Sequence, residues 1–193
     1  MAEDGGNGRQ RLFVAVPLPS ALLGFVSRAQ EALPATHGLR LLAPLQLHVT
    51  LAFIGEVGSE KAAIARKVVE DVPASVGGEA LVRGFLLLPS PAKARVVTLE
   101  LADERGVFAA LFERVMQGLE AGEVMKREKR PFRPHLTIAR LRNPGAVRPR
   151  YESGQSPFAV ESVCLYRSEL RREGAMYTVV VQTALKQGDE ATT

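Results

Sequence analysis

The chain predicts an α+β fold: a mostly antiparallel sheet with helices on its outer faces. Two observations predict it. Short apolar strands and amphipathic helical segments are mixed in the rough order βαβαββαβββ, with short connections and no long linker. The 193 residues are 46% hydrophobic and 24% charged, an ordinary composition with enough apolar content to bury a core. No glycine fingerprint of the Rossmann or P-loop type is present, so the fold need not hold a dinucleotide or ATP.

The elements follow in order. Residues 12–16 are short, apolar and stopped by Pro17, and read as a buried strand. Ser20 is placed to cap an amphipathic helix running to about Leu33, and Pro34 ends it. Residues 47–57 alternate His48, Thr50, Ala52 and Ile54 against Val49, Leu51 and Phe53, the two-residue period of a strand, closed by Gly55 and Gly58. Ser59 opens a second helix with Ala62, Ala63, Ile64, Val68 and Val69 as its apolar residues. Residues 80–88 and 95–101 read as strands joined by the turn-rich PSPAK. Asp103 is placed to cap a third helix through Val107, Leu111, Val115 and Leu119, stopped by Gly122. Residues 134–141 read as a strand, Asn143, Pro144 and Gly145 as a loop, and residues 158–166 and 176–185 as two closing strands. Residues 1–9 and 187–193 lack apolar periodicity and read as disordered tails around a domain spanning 10–186.

Net charge is +4, but its distribution says more than its size. Residues 126–150 hold Lys126, Arg127, Lys129, Arg130, Arg133, Arg140, Arg142, Arg148 and Arg150 against Glu128 alone. Such a block steers polyanions, nucleic acid and phosphorylated substrates being the usual cases, while the plainer reading is a solvated basic loop. The single Cys164 excludes an internal disulfide and a thiolate metal cluster. The longest apolar run near the start is cut by Pro17 and Pro19, so the expectation is a cytoplasmic protein, neither secreted nor inserted in a membrane.

One internal echo carries chemistry. HVTLAF at 48–53 and HLTIAR at 135–140 share the pattern His, apolar, Thr, apolar, Ala, and use two of the three histidines. Residues i and i+2 of a strand share a face about 7 Å apart, so each motif sets an imidazole beside a hydroxyl while Val49 and Leu136 face the core. If the two halves pack about a pseudo-twofold axis, two His and two Thr converge on one small anion. In-line displacement at phosphorus suits that set. With an unperturbed pKa near 6.5, one histidine can be neutral and the other protonated, supplying base and acid without a metal. Thr50 and Thr137 can donate to non-bridging phosphate oxygens, and Arg140 can offset charge growing on them. A zinc site built from His37, His48 and His135 is an alternative, but it leaves the repeated Thr unexplained, and His37 in THGL reads as solvated.

At these residues the chain resembles the two-histidine (2H) phosphoesterase superfamily, specifically the RNA 2′,3′-cyclic phosphodiesterases historically called 2′-5′ RNA ligases. The likeness covers most of residues 10–185, including RLFVAVPLP at 11–19, LQLHVTLAFIGEV, the ARVVTLEL strand, RPFRPHLTIAR and LYRSELRREGAMY. It implies a bilobal fold of two mostly antiparallel sheets around a central cleft. It also implies no cofactor, a monomer, and hydrolysis of RNA cyclic phosphate ends to 2′-phosphate. By the same resemblance His135 is the general base and His48 the general acid. Phe53 matches an aromatic near the terminal nucleotide, although alternation alone puts it in the core, so both readings stay open. Arg140 matches a basic position after the second motif. Arg95 opens a strand matching the family's Arg-Val pattern, with a structural role equally open.

Other readings compete. Reverse 2′-5′ ligation and hydrolysis of 2′-5′ oligonucleotides share the same transition-state geometry. An RNA-binding module without turnover would use the basic block alone, but aromatics for base stacking make up only 6% of the chain.

Overall fold

The computed structural model describes residues 8–35, 37–152, 154–171 and 174–186; the tails read at 1–7 and 187–193 lie outside them. Arg9, assigned to the first tail, is engaged: its guanidinium donates to the Glu56 carbonyl at 3.0 Å. The described elements run β1 (Gln10–Pro17), α1 (Leu23–Glu31), β2 (Leu39–Leu41), β3 (His48–Val57), α2 (Ser59–Glu70), β4 (Gly78–Leu88), β5 (Ala94–Ala102), α3 (Val107–Ala121), β6 (His135–Gly145), β7 (Ser156–Val160), β8 (Ser162–Arg171) and β9 (Gly174–Ala184). This is the expected α+β class.

Every strand pairing is antiparallel, in the order β7-β4-β5-β6-β3-β1-β8-β9, with β2 added beside β6. The order divides at its centre. β9, β8, β1 and β3 form one half, β6, β5, β4 and β7 the other, and they meet edge to edge through a single residue pair, Val49 with Leu136. The spatial halves are not the sequence halves, because β8 and β9 return from the end of the chain to pair beside β1. The fold therefore ties its last strands to its first.

Helix α2 packs on β1, β8 and β9, α3 lies against β3 and β4, and α2 touches α3. That last contact is close: a Cβ added at Gly118 would sit 2.8 Å from the Val68 side chain, so glycine permits the approach. Phe108, Leu111, Val115 and Leu119, three or four residues apart, are buried on one face of α3, as the helical period predicts. The Asp103 carboxylate caps this helix, accepting from the Phe108 and Ala109 amides at 3.0 and 2.7 Å. Gly106 makes the turn between them at a φ of 71°, in the left-handed region open to glycine.

The structure corrects three local expectations and adds one strand. Ser20 does not cap α1; it opens a 3-10 turn (Ser20–Leu22) closed by the Leu22 amide on the Pro19 carbonyl, so its hydroxyl stays outside the helix. The strand read at 158–166 is two strands broken at Glu161. The apolar residues continue across the break without Gly or Pro, but β7 pairs with β4 and β8 with β1, at opposite ends of the sheet. Residues 143–145 are not a loop but the end of β6, where Gly145 pairs with Ala94. The three-residue β2 went unread, being too short to show a period.

Leu136, 1% exposed, is one member of the pair that joins the halves. Leu136→Ala is expected to lower unfolding stability by about 3 kcal/mol in chemical denaturation, through lost burial and a residual cavity.

Candidate active site

The pair Val49–Leu136 also fixes where the polar residues stand. Its side chains are buried, so their neighbours His48, Thr50, His135 and Thr137 take the opposite, half-exposed face. Because the strands are antiparallel, continuing the register by one residue each way sets His48 opposite Thr137 and Thr50 opposite His135. Each imidazole thus stands across from the other motif's threonine, and all four side chains line one cavity. Past this pair β3 and β6 pair no further, and a cavity of about 210 Å³ is lined by His48, Thr50, Phe53, His135, Thr137 and Arg140, with Gln46, Leu42, Val96 and Tyr177 around them. That is room for roughly seven waters, the scale of a phosphate group with part of a sugar.

Phe53 and Arg140 reach this cavity by the same backbone device. Simple alternation would turn position five after each histidine away from it. In β3 the register against β1 skips Leu51, and in β6 the register against β5 skips Ile138. Each skip is a β-bulge, with two consecutive buried residues, Leu51–Ala52 and Ile138–Ala139, where alternation allows one. The bulge reverses the facing of the residues after it. Phe53, 64% exposed, therefore leaves the core and joins the cleft, which decides the question that periodicity left open. Arg140 takes the equivalent place in the other half.

The two histidines are held alike but sit in different surroundings. His135 Nδ1 lies 2.8 Å from the Arg133 carbonyl. A carbonyl only accepts, so Nδ1 carries the proton and Nε2 keeps its lone pair. The Gln46 carbonyl likewise accepts from the His48 ring. His48, however, is enclosed by aromatic rings: Phe13 with centroids 4.9 Å away, Tyr177 at 5.2 Å and edge-on, and Tyr166 at 6.2 Å. Burial lowers its pKa to about 4 and the Arg140 cation pushes the same way, while the Gln46 carbonyl opposes them. In the free protein His48 is therefore neutral above that pH.

Sequence reasoning missed Phe13, Tyr166, Tyr177 and Gln46. Both tyrosines stand in LYRSELRREGAMY, but they come from strands that sequence order does not show to be neighbours of His48. His37 is exposed on the turn before β2 and does not line the cavity. Among the described residues no three His, Cys, Asp or Glu side chains are grouped to hold a metal ion. Arg95 is exposed at the start of β5 and is also absent from the cavity wall. The basic block is partly neutralised: Arg127 pairs with Glu113 and Glu120, and Arg133 with Glu100. Lys126, Lys129 and Arg130 are exposed and make no ion pair among the described residues. Arg130 and Arg133 line an apolar recess that shares Thr50, Phe53 and His135 with the cleft.

Two His-x-Thr strands paired about one contact, in an antiparallel α+β fold, define a 2H phosphoesterase. The profile of the 2′-5′ RNA ligase superfamily matches residues 18–172, and the chain belongs to that family. It is 32% identical to the RNA 2′,3′-cyclic phosphodiesterase of Thermus thermophilus, over 91% of this chain and 90% of that one. Against the protein of the same name from Escherichia coli it is 29% identical, over 92% and 98%. Among solved structures, E. coli LigT complexed with 3′-AMP aligns with a TM-score of 0.73 and 26% identity, over 93% and 99% of the two chains. A Thermus thermophilus protein, TT0787, aligns at 0.72 and 28%, over 92% and 98%.

The His48 environment has a direct reading by NMR. Its ring is expected to titrate near pH 4 in the free protein, and Arg140→Met to move that midpoint upward by removing a neighbouring cation. A downward shift or none would break the link between the two residues.

Proposed function

We propose that this enzyme hydrolyses RNA ends bearing a 2′,3′-cyclic phosphate, leaving 2′-phosphate, by acid and base catalysis from two histidines without a metal. The observation that carries the reading is the convergence of both His-x-Thr pairs and Arg140 on one cavity with room for a phosphate and part of a sugar. The names of the relatives supply the substrate class. Arg130, which lines a recess sharing Thr50, Phe53 and His135 with the cleft, and the exposed Lys126 and Lys129 of the same segment suit a polyanion.

The reaction is a single displacement. His135 Nε2 takes a proton from water as the water oxygen bonds to phosphorus and the P–O3′ bond breaks. Protonated His48 gives its proton to the departing O3′. One water is consumed, and solvent exchange restores both rings. Thr50 and Thr137 donate to the non-bridging oxygens, and Arg140 balances the charge that gathers there. Phe53 offers its exposed face to the terminal nucleoside.

Burial keeps His48 neutral in the empty cleft, so the bound phosphodiester anion must draw a proton onto it. A bound, non-hydrolysable phosphodiester is accordingly expected to raise the His48 midpoint above about 4. If it does not, the acid role passes to His135.

Ligation to a 2′-5′ linkage is the same displacement with the 5′-hydroxyl of a second RNA end in place of water, its oxygen bonding to phosphorus as P–O3′ breaks; water outcompetes that hydroxyl, so ligation is read as a secondary activity. The proposed setting is a cytoplasmic monomer, in keeping with Cys164 held buried as a thiol whose pKa burial pushes up. No helix among the described residues is long and apolar enough to cross a membrane.

The test is hydrolysis of a short RNA ending in 2′,3′-cyclic phosphate, with EDTA present. Turnover to a 2′-phosphate product, lost by at least about a hundredfold in both His48→Ala and His135→Ala, is the expected result. Salt-dependent RNA binding without turnover, unchanged in both variants, would make the protein a binding module instead.

A further inference from the structure

The two catalytic rings share a support that the motif itself does not contain. In each half the ring hydrogen-bonds the backbone carbonyl two residues earlier, Gln46 for His48 and Arg133 for His135. In each half the residue that owns this carbonyl is then anchored by its own side chain. The Gln46 amide bridges two segments: its Oε1 accepts from the Ala43 amide at 3.2 Å, and its Nε2 donates to the Ala175 carbonyl of β9 at 3.0 Å. The Arg133 guanidinium donates to Glu100 Oε1 at 2.6 Å. Glu100 stands on β5 directly opposite His135 in the register. Pro134 adds a constraint by biasing Arg133 towards extended backbone, and its own carbonyl accepts from the Leu101 amide at 3.3 Å.

From this repeat we infer that Gln46, and the pair Arg133 with Glu100, are positioning residues that fix the orientation and tautomer of the two histidines. The inference rests on the two-histidine reading above. It gives a role to an ion pair that stability does not require: the Arg133 and Glu100 side chains are 57% and 37% exposed, and such pairs contribute little to folding. What the pair holds is a carbonyl. If that carbonyl swings away, the His135 ring is free to rotate and to move its proton from Nδ1 to Nε2, which removes the lone pair facing the cleft. Gln46 does the same for His48, and through Ala175 it makes the placement of that ring depend on the start of β9. The anchors differ because the neighbourhoods differ. A backbone carbonyl and amide are within reach of the first motif, and a strand carboxylate is within reach of the second.

The test compares Glu100→Gln, Glu100→Ala and Gln46→Ala with the wild type on the cyclic-phosphate RNA end, beside His48→Ala and His135→Ala. Expected is a fall in kcat of about tenfold to a hundredfold in Glu100→Ala and Gln46→Ala, with KM and thermal midpoint nearly unchanged. Glu100→Gln, which keeps an acceptor for Arg133, should recover part of that loss. Long-range 15N spectra of the imidazoles should show a single His135 tautomer, protonated on Nδ1, in the wild type and a mixture in Glu100→Ala. Unchanged kcat and tautomer in folded Glu100→Ala and Gln46→Ala, alongside inactive histidine variants, would overturn the positioning role alone. Full activity in His48→Ala and His135→Ala would instead remove the reading beneath it.

Discussion

The structure depends on one contact, the pairing of Val49 with Leu136 where the two halves of the sheet meet edge to edge. Longer pairing would zip β3 and β6 into an ordinary sheet and close the cavity. Without it, β3 and β6 would share no backbone pairing to set the two motifs in register. A single antiparallel pair does both jobs: its apolar side chains join the halves below, and the residues flanking them above are forced into a diagonal arrangement of two imidazoles and two hydroxyls. The chemistry comes from that diagonal. An anion between the strands meets a proton-transfer group and a hydrogen-bond donor from each half.

Repetition of the backbone is accompanied by divergence of the side chains. Both motif strands carry a bulge three residues after the histidine, and both bulges turn position five into the cleft. One half puts Phe53 there, and the other puts Arg140. The same split appears at the rings, where aromatic neighbours enclose His48 and lower its pKa. On the proposed reading the asymmetry gives each half a separate role, Phe53 offering an apolar face to a nucleoside and Arg140 a fixed positive charge to phosphate.

Much of this was legible in the sequence, because it is written at short range. The alternation of apolar and polar residues in HVTLAF and HLTIAR placed His48, Thr50, His135 and Thr137 on strand faces, and the helical period placed the buried face of α3. What stayed hidden was long-range or irregular. A bulge leaves no mark in a sequence except two adjacent apolar residues, which also occur in regular strands, so Phe53 fitted core and cleft equally. The break at Glu161 was invisible because β7 and β8 are both apolar, and only their partners differ. Tyr166 and Tyr177 come to His48 through a topology that brings the end of the chain back beside its beginning.

The central claim is that two histidines act in one in-line displacement, and its stereochemistry at phosphorus tests that most directly. A 2′,3′-cyclic phosphorothioate RNA end of known configuration, hydrolysed in 18O-labelled water, gives a product whose chirality records the number of displacements. One attack by water with departure of O3′ on the far side predicts inversion. Retention would mean two displacements through a covalent enzyme intermediate, and would contradict the acid and base roles assigned to His48 and His135.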